Sequence, residues 1–80
     1  MLLEIRYKYI GLDYLVADKH GSLYLLPHFK DKRTVHFKKI KIFKNGGIYC
    51  IKYNGRNVSF IQLKQKALAC NDIININTTQ

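Results

Sequence analysis

From Leu3 to Tyr9 apolar and charged side chains alternate, with Leu3, Ile5, Tyr7 and Tyr9 on one side and Glu4, Arg6 and Lys8 on the other. A period of two is that of a half-buried strand, because successive side chains of an extended chain leave opposite faces. Gly11 breaks the run. A second short run, Tyr14 to Ala17, ends at Asp18-Lys19-His20-Gly21, where Gly21 can take the positive φ of a tight turn. Ser22 to Leu26 returns as its hairpin partner until Pro27 stops it. Residues 28 to 33 show no period and read as an exposed loop. Beyond them Val35 and Phe37 alternate with Thr34 and His36, but Ile40 and Ile42 fall in the opposite phase. A bulge or turn at Lys38-Lys39 reconciles the two.

Asn45-Gly46-Gly47 is a turn signal, Ile48 to Tyr53 reads as a strand, and Asn54-Gly55 is the favoured dipeptide of a type I′ hairpin turn. At Ser59 the period changes. Ser59 followed three residues on by Gln62 has the form of a capping box, in which hydroxyl and amide satisfy free backbone N–H groups. Phe60, Leu63, Ala67 and Cys70 then make one apolar helical stripe, flanked by Ile61 and Leu68, and Asn71-Asp72 ends it. The alternating tail, Ile73 to Asn77, either adds an edge strand or frays. The predicted fold is α+β: a small antiparallel sheet of about five strands and one C-terminal helix. One helix covers only one face, so the sheet should be strongly curled or partly closed.

With 80 residues the chain is read as a single domain over 1–80. Charge changes the picture more than size does. Fourteen Lys and Arg against five Asp and Glu give a formal charge of +9, which favours phosphate backbones, anionic surfaces or acidic protein faces. It excludes an acidic DNA mimic, which needs carboxylates that Glu4, Asp13, Asp18, Asp31 and Asp72 are too few to supply. Cys50 and Cys70 allow at most one bridge, so they read as thiols in a reducing compartment. The first residues turn to charge at once, and no apolar run is long enough for a span, so neither signal peptide nor membrane anchor is expected.

The basic residues are concentrated. Lys30, Lys32, Arg33, Lys38, Lys39, Lys41 and Lys44 fall within residues 28 to 44, interleaved with His28, Phe29, His36, Phe37 and Phe43 and interrupted by one acid, Asp31. Cations neutralise phosphates and aromatic faces stack on unpaired bases, so the mixture suits a nucleic-acid surface. Read blandly, the same residues are the solvated face of edge strands, kept soluble by lysine. A pair such as His28 and His36 would also serve a metal-independent RNase as general acid and base, with Lys38 or Lys39 stabilising the phosphorane. No carboxylate pair, phosphate-binding Gly loop or metal-ligand spacing stands in the sequence, so no cofactor or metal is expected.

The order of pieces resembles a known module. Tyr14-Leu15-Val16-Ala17-Asp18-Lys19-His20-Gly21-Ser22-Leu23-Tyr24, a basic insert, Asn45-Gly46-Gly47-Ile48-Tyr49-Cys50-Ile51 and Asn54-Gly55-Arg56 before a helix together resemble the nuclease-associated modular motif that precedes HNH cores in phage homing endonucleases. Short stand-alone phage proteins of that layout are similar too. The resemblance implies a phage or mobile-element origin and a binding role for the basic insert. It does not imply nuclease activity, because Val58-Ser59-Phe60 opens a helix where that pattern runs on into a His-containing segment.

These readings converge on a non-catalytic protein of the bacterial host cytoplasm. It would bind RNA or DNA, alone or within a nucleoprotein, through Lys30, Lys32, Arg33, Lys38, Lys39, Lys41, Lys44, Phe29 and His28. The most specific form is an anti-CRISPR-like inhibitor that engages an RNA-guided nuclease. The alternatives are a protein-interaction module that uses exposed Tyr and a sheet edge, and the small RNase.

Overall fold

The computed structural model describes residues 2–76. In chain order these form β1 (Leu2–Tyr9), β2 (Leu15–Asp18), β3 (Leu23–Leu25), β4 (His28–Lys30), β5 (Arg33–Val35), β6 (Lys38–Lys39), β7 (Ile42–Asn45), β8 (Ile48–Tyr53), β9 (Arg56–Ser59), α1 (Phe60–Lys66) and β10 (Ala67–Asn75). The expected mix of antiparallel strands and one helix is present, and it includes a five-stranded sheet, β10-β1-β2-β3-β6. The sheets are open rather than closed, and further strands form two more, the hairpin β4-β5 and the three-stranded β7-β8-β9.

All four residues of β2 are buried, because the five-stranded sheet is covered on both faces. Leu15 and Ala17 pack with Leu23, Ile40, Ile51, Val58 and Leu63, which joins this sheet to the three-stranded sheet and the helix. Val16 leaves the other face and packs with Leu3, Ile5 and Ile76, over which Tyr24, Phe37 and Leu26 lie. Burying each such aliphatic side chain contributes roughly 1.5–3 kcal/mol.

A bulge in β1 decides which core each residue joins. Ile5 faces Asp18 on β2 while Tyr7 faces Ala17, so Arg6 is an extra residue on β1. Leu3 and Ile5 therefore pack with Val16, while Tyr9 packs on the opposite face with Leu15 and Ala17, and Tyr7 stays 46% exposed. The single apolar face read from the alternation is thus split in two.

The helix is shorter than its stripe. Its capping box is in place, with Gln62 N donating to Ser59 Oγ at 3.2 Å and Ser59 N to Gln62 Oε1 at 3.1 Å. It stops at Lys66, because Ala67 pairs with Tyr9 and Ile10 N donates to the Lys66 carbonyl at 2.9 Å. Ala67 and Cys70, expected on the helix, lie instead on β10, which runs antiparallel to β1 from Ala67 to Asn75. The helix is accordingly not C-terminal. The tail reading is an edge strand as far as Asn75; Asn77 lies outside the described residues.

Residues 28 to 33 are the other correction. Instead of a loop they begin the β4–β5 hairpin, which turns on Asp31 and Lys32 at φ 52° and 61°. Two positive φ values make a type I′ geometry, here without glycine. The Asn54-Gly55 turn is as expected, with φ 51° and 77° and Tyr53 paired to Arg56. No helix of the described residues is long and apolar enough to cross a membrane.

Candidate functional site

The β4–β5 hairpin lies beside β3, β6 and the β8–β9 turn, and a cavity of about 370 Å³ opens between them. Register explains which side chains reach it. In β4–β5, His28 stands opposite Val35 and Lys30 opposite Arg33, so these four share one face of the hairpin. In β3–β6, Lys38 stands opposite Leu25, a residue packed against the core that Ile40 joins. Lys30, Arg33, Lys38 and Lys52 all line the cavity, and no carboxylate residue is among its walls. Asn54 and Gly55, at the β8–β9 turn, close its other side.

A second cavity of about 260 Å³ lies against the first. It shares Leu25, His28, Lys30, Tyr53 and Asn54 with it and adds Asp13, Tyr14 and Phe29. Tyr14 and His28 stack face to face, with centroids 3.9 Å apart and planes 4° from parallel. Tyr14 holds φ 67°, a left-handed conformation costly for a bulky residue, and Leu26 N donates to its carbonyl at 2.9 Å. The His28 Nδ1 lies 2.8 Å from the Leu26 carbonyl, which can only accept. Nδ1 therefore carries the proton, and in the neutral ring Nε2 is left as an acceptor. Tyr53 donates its hydroxyl to the Asp13 carbonyl at 2.9 Å. Burial pushes the Tyr53 phenol up, and the Asp13 charge adds to the shift, so it remains a neutral donor. Phe29 is 70% exposed.

Not every cation expected at the site is there. Lys32 stands exposed in the hairpin turn. Lys39 pairs with Tyr24, which packs on the other core, so it leaves β6 from the face away from the cleft. Lys41 is exposed between β6 and β7, and Lys44 sits over the Tyr49 ring at 5.1 Å. His28 is across from Val35 rather than His36, which lies exposed beyond the end of β5. The residues missed from sequence are Lys52, Asn54 and Tyr14. Of these only Lys52 carried a signal, as the outward charge in the alternating strand Ile48 to Tyr53.

Among the described residues no group of three His, Cys, Asp or Glu side chains converges as metal ligands would. Cys50 and Cys70 are free thiols, Cys50 buried and Cys70 half-buried. No family model, curated protein or solved structure matches the chain. The roles of its residues rest on their own geometry.

Proposed function

We propose that the protein is a non-catalytic binder of RNA or DNA that seats the phosphate backbone in the cleft between the β4–β5 hairpin and the β8–β9 turn. One observation carries this reading: Lys30, Arg33, Lys38 and Lys52, drawn from four different strands, line one cavity without a carboxylate residue among its walls. Clustered cations repel one another, and an anion that bridges them relieves that repulsion while releasing condensed counterions. Lysines that only keep an edge strand soluble have no reason to meet in a concavity. Exposed Phe29 and the Tyr14–His28 stack beside the cleft add the aromatic faces found in nucleic-acid grooves.

A phage protein with this surface would have a use against a host nucleoprotein, and inhibition of an RNA-guided nuclease through its guide RNA is the specific form of the proposal. Fluorescence anisotropy with labelled RNA and DNA oligonucleotides tests the binding itself. Replacing Lys30, Arg33, Lys38 and Lys52 with Glu should abolish binding while the circular dichroism spectrum stays unchanged. Retained affinity in the folded variant would refute the site.

A further inference from the structure

We infer that the nucleic acid is single-stranded and that one unpaired base enters the second cavity, stacking against the Tyr14–His28 pair while its phosphates lie in the basic cleft. The inference rests on the nucleic-acid reading and deepens it.

The two cavities differ in chemistry and share a wall. The first carries the four cations; the second, about 260 Å³, is walled by Tyr14, His28 and Phe29. That volume equals roughly nine molecules of liquid water, room for a planar heterocycle. Leu25, His28 and Lys30 belong to both, so an occupant of one cavity is continuous with an occupant of the other. A nucleotide has this division: a flat ring at one end and an anion at the other. Backbone binding alone would use the first cavity and leave the second unexplained.

The aromatic arrangement favours a ring as occupant. Tyr14 is 49% exposed although it stacks on His28 over one face, so it still offers surface to solvent. Phe29 presents a second, 70% exposed ring. The left-handed backbone at Tyr14 costs energy that a turn residue such as Gly or Asn would avoid, and it accompanies the Tyr14–His28 stack. Polar residues line the same cavity: Asn54, Asp13 and His28, whose Nε2 is the acceptor nitrogen of the neutral ring when Nδ1 donates to Leu26. Bases in a duplex present only their edges in the grooves, whereas the faces needed for stacking are free in a single strand.

The test compares intact and abasic strands of equal charge, with a duplex beside them. Labelled oligothymidine and oligouridine of about 12 nucleotides, within the site sizes known for small folds, are titrated beside an abasic strand of the same length and a duplex. The intact single strands should bind about 5- to 140-fold tighter than the abasic one, the range that stacking of a base supplies. Tyr14→Ala and Phe29→Ala should each reduce that preference. Phe29, being mostly exposed, can be replaced without cost to the fold. Equal affinity for intact and abasic strands overturns the base-insertion inference and leaves the phosphate reading standing. No salt-dependent binding of any strand, or equal binding of a polyglutamate peptide of matched charge, overturns both.

Discussion

Lys38 stands directly opposite Leu25 in the β3–β6 ladder, and its neighbour Lys39 stands opposite Tyr24. Opposed residues in an antiparallel pair share a face, so Lys38 rises into the cleft with Leu25 while Lys39 leaves from the other side with Tyr24. Two adjacent exposed lysines thus take opposite faces of the sheet. Lys38→Glu should weaken RNA or DNA binding at least about tenfold, since a cation in contact with phosphate becomes a repulsion. Lys39→Glu should change affinity only about twofold, through net charge alone. Anisotropy titrations of the two variants side by side decide the matter, and equal losses would mean that the cleft is not the contact surface.

Salt dependence counts the contacts independently of mutation. Four phosphates neutralised by Lys30, Arg33, Lys38 and Lys52 give a slope of log K against log salt of about −3 to −3.5. Contact by the whole basic run of Lys30, Lys32, Arg33, Lys38, Lys39, Lys41 and Lys44 would give about −5 to −6. A slope near zero with retained affinity would point to a protein-interaction surface.

The difference between those two numbers shows where the sequence was legible. The run of charge was visible, but a linear list does not say which face each residue takes or which distant strand lies alongside. Lys52 joins the cleft only because the β8–β9 hairpin stands across the cavity from β4–β5. Local chemistry is legible where one residue type is required: Asn54-Gly55 and the Ser59–Gln62 box are both as expected. It is silent at Asp31-Lys32, which form a positive-φ turn without the glycine that usually signals one. The helical stripe outruns the helix for a different reason. Phe60, Leu63, Ala67 and Cys70 do keep helical spacing, and Ala67 and Leu68 favour a helix, but pairing along the length of β1 outweighs propensities worth a few tenths of a kcal/mol per residue.

The short helix depends on its ends and on one anchor. Ser59→Ala removes the acceptor for Gln62 N and should cost about 1 kcal/mol. Leu63→Ala, at a side chain only 4% exposed between the two larger sheets, should cost about 2–5 kcal/mol, much of the stability expected for a small domain. Urea denaturation of both variants measures the order; a larger loss for Ser59→Ala would mean that the helix is not held by its packing.

Asp18 is the one buried charged residue among those described, and its Oδ1 accepts from His20 N and Ser22 N, both at 2.9 Å. These bonds brace the turn between β2 and β3, where Asp18 N also donates to the Ser22 carbonyl at 3.0 Å. Asp18→Ala strands two backbone donors and should cost about 2–3 kcal/mol. Asp18→Asn keeps an acceptor oxygen in place and should cost clearly less. Equal destabilisation by the two substitutions would show that the charge, not the pair of bonds, is what matters.

The pH response should be lopsided, with its steeper limb on the alkaline side. Burial pushes the Tyr9 phenol up, because the phenolate is poorly solvated there, and Tyr53 is raised for the same first reason with the Asp13 charge adding to it. Lys8 is raised as well, by its hydrogen bond and charge interaction with Asp72 at 3.0 Å. A group whose folded pKa is raised contributes stability that is fully present below its unfolded value and is lost as pH rises through the folded one. On the acid side Glu4 is lowered by its hydrogen bond to Lys19 and then by that lysine's charge, so its contribution is present above the ordinary carboxylate range and is lost as pH falls through the depressed value. Stability should therefore be level across neutrality and decline above pH of about 10, where phenols begin to ionise. High salt screens the exposed Lys8–Asp72 and Glu4–Lys19 pairs but not the desolvation of Tyr9. The urea midpoint measured against pH, with and without salt, separates the two contributions. Tyr9→Phe, which cannot ionise, should flatten the part of the alkaline decline that survives in salt; a decline left unchanged by that substitution would remove Tyr9 burial as its cause.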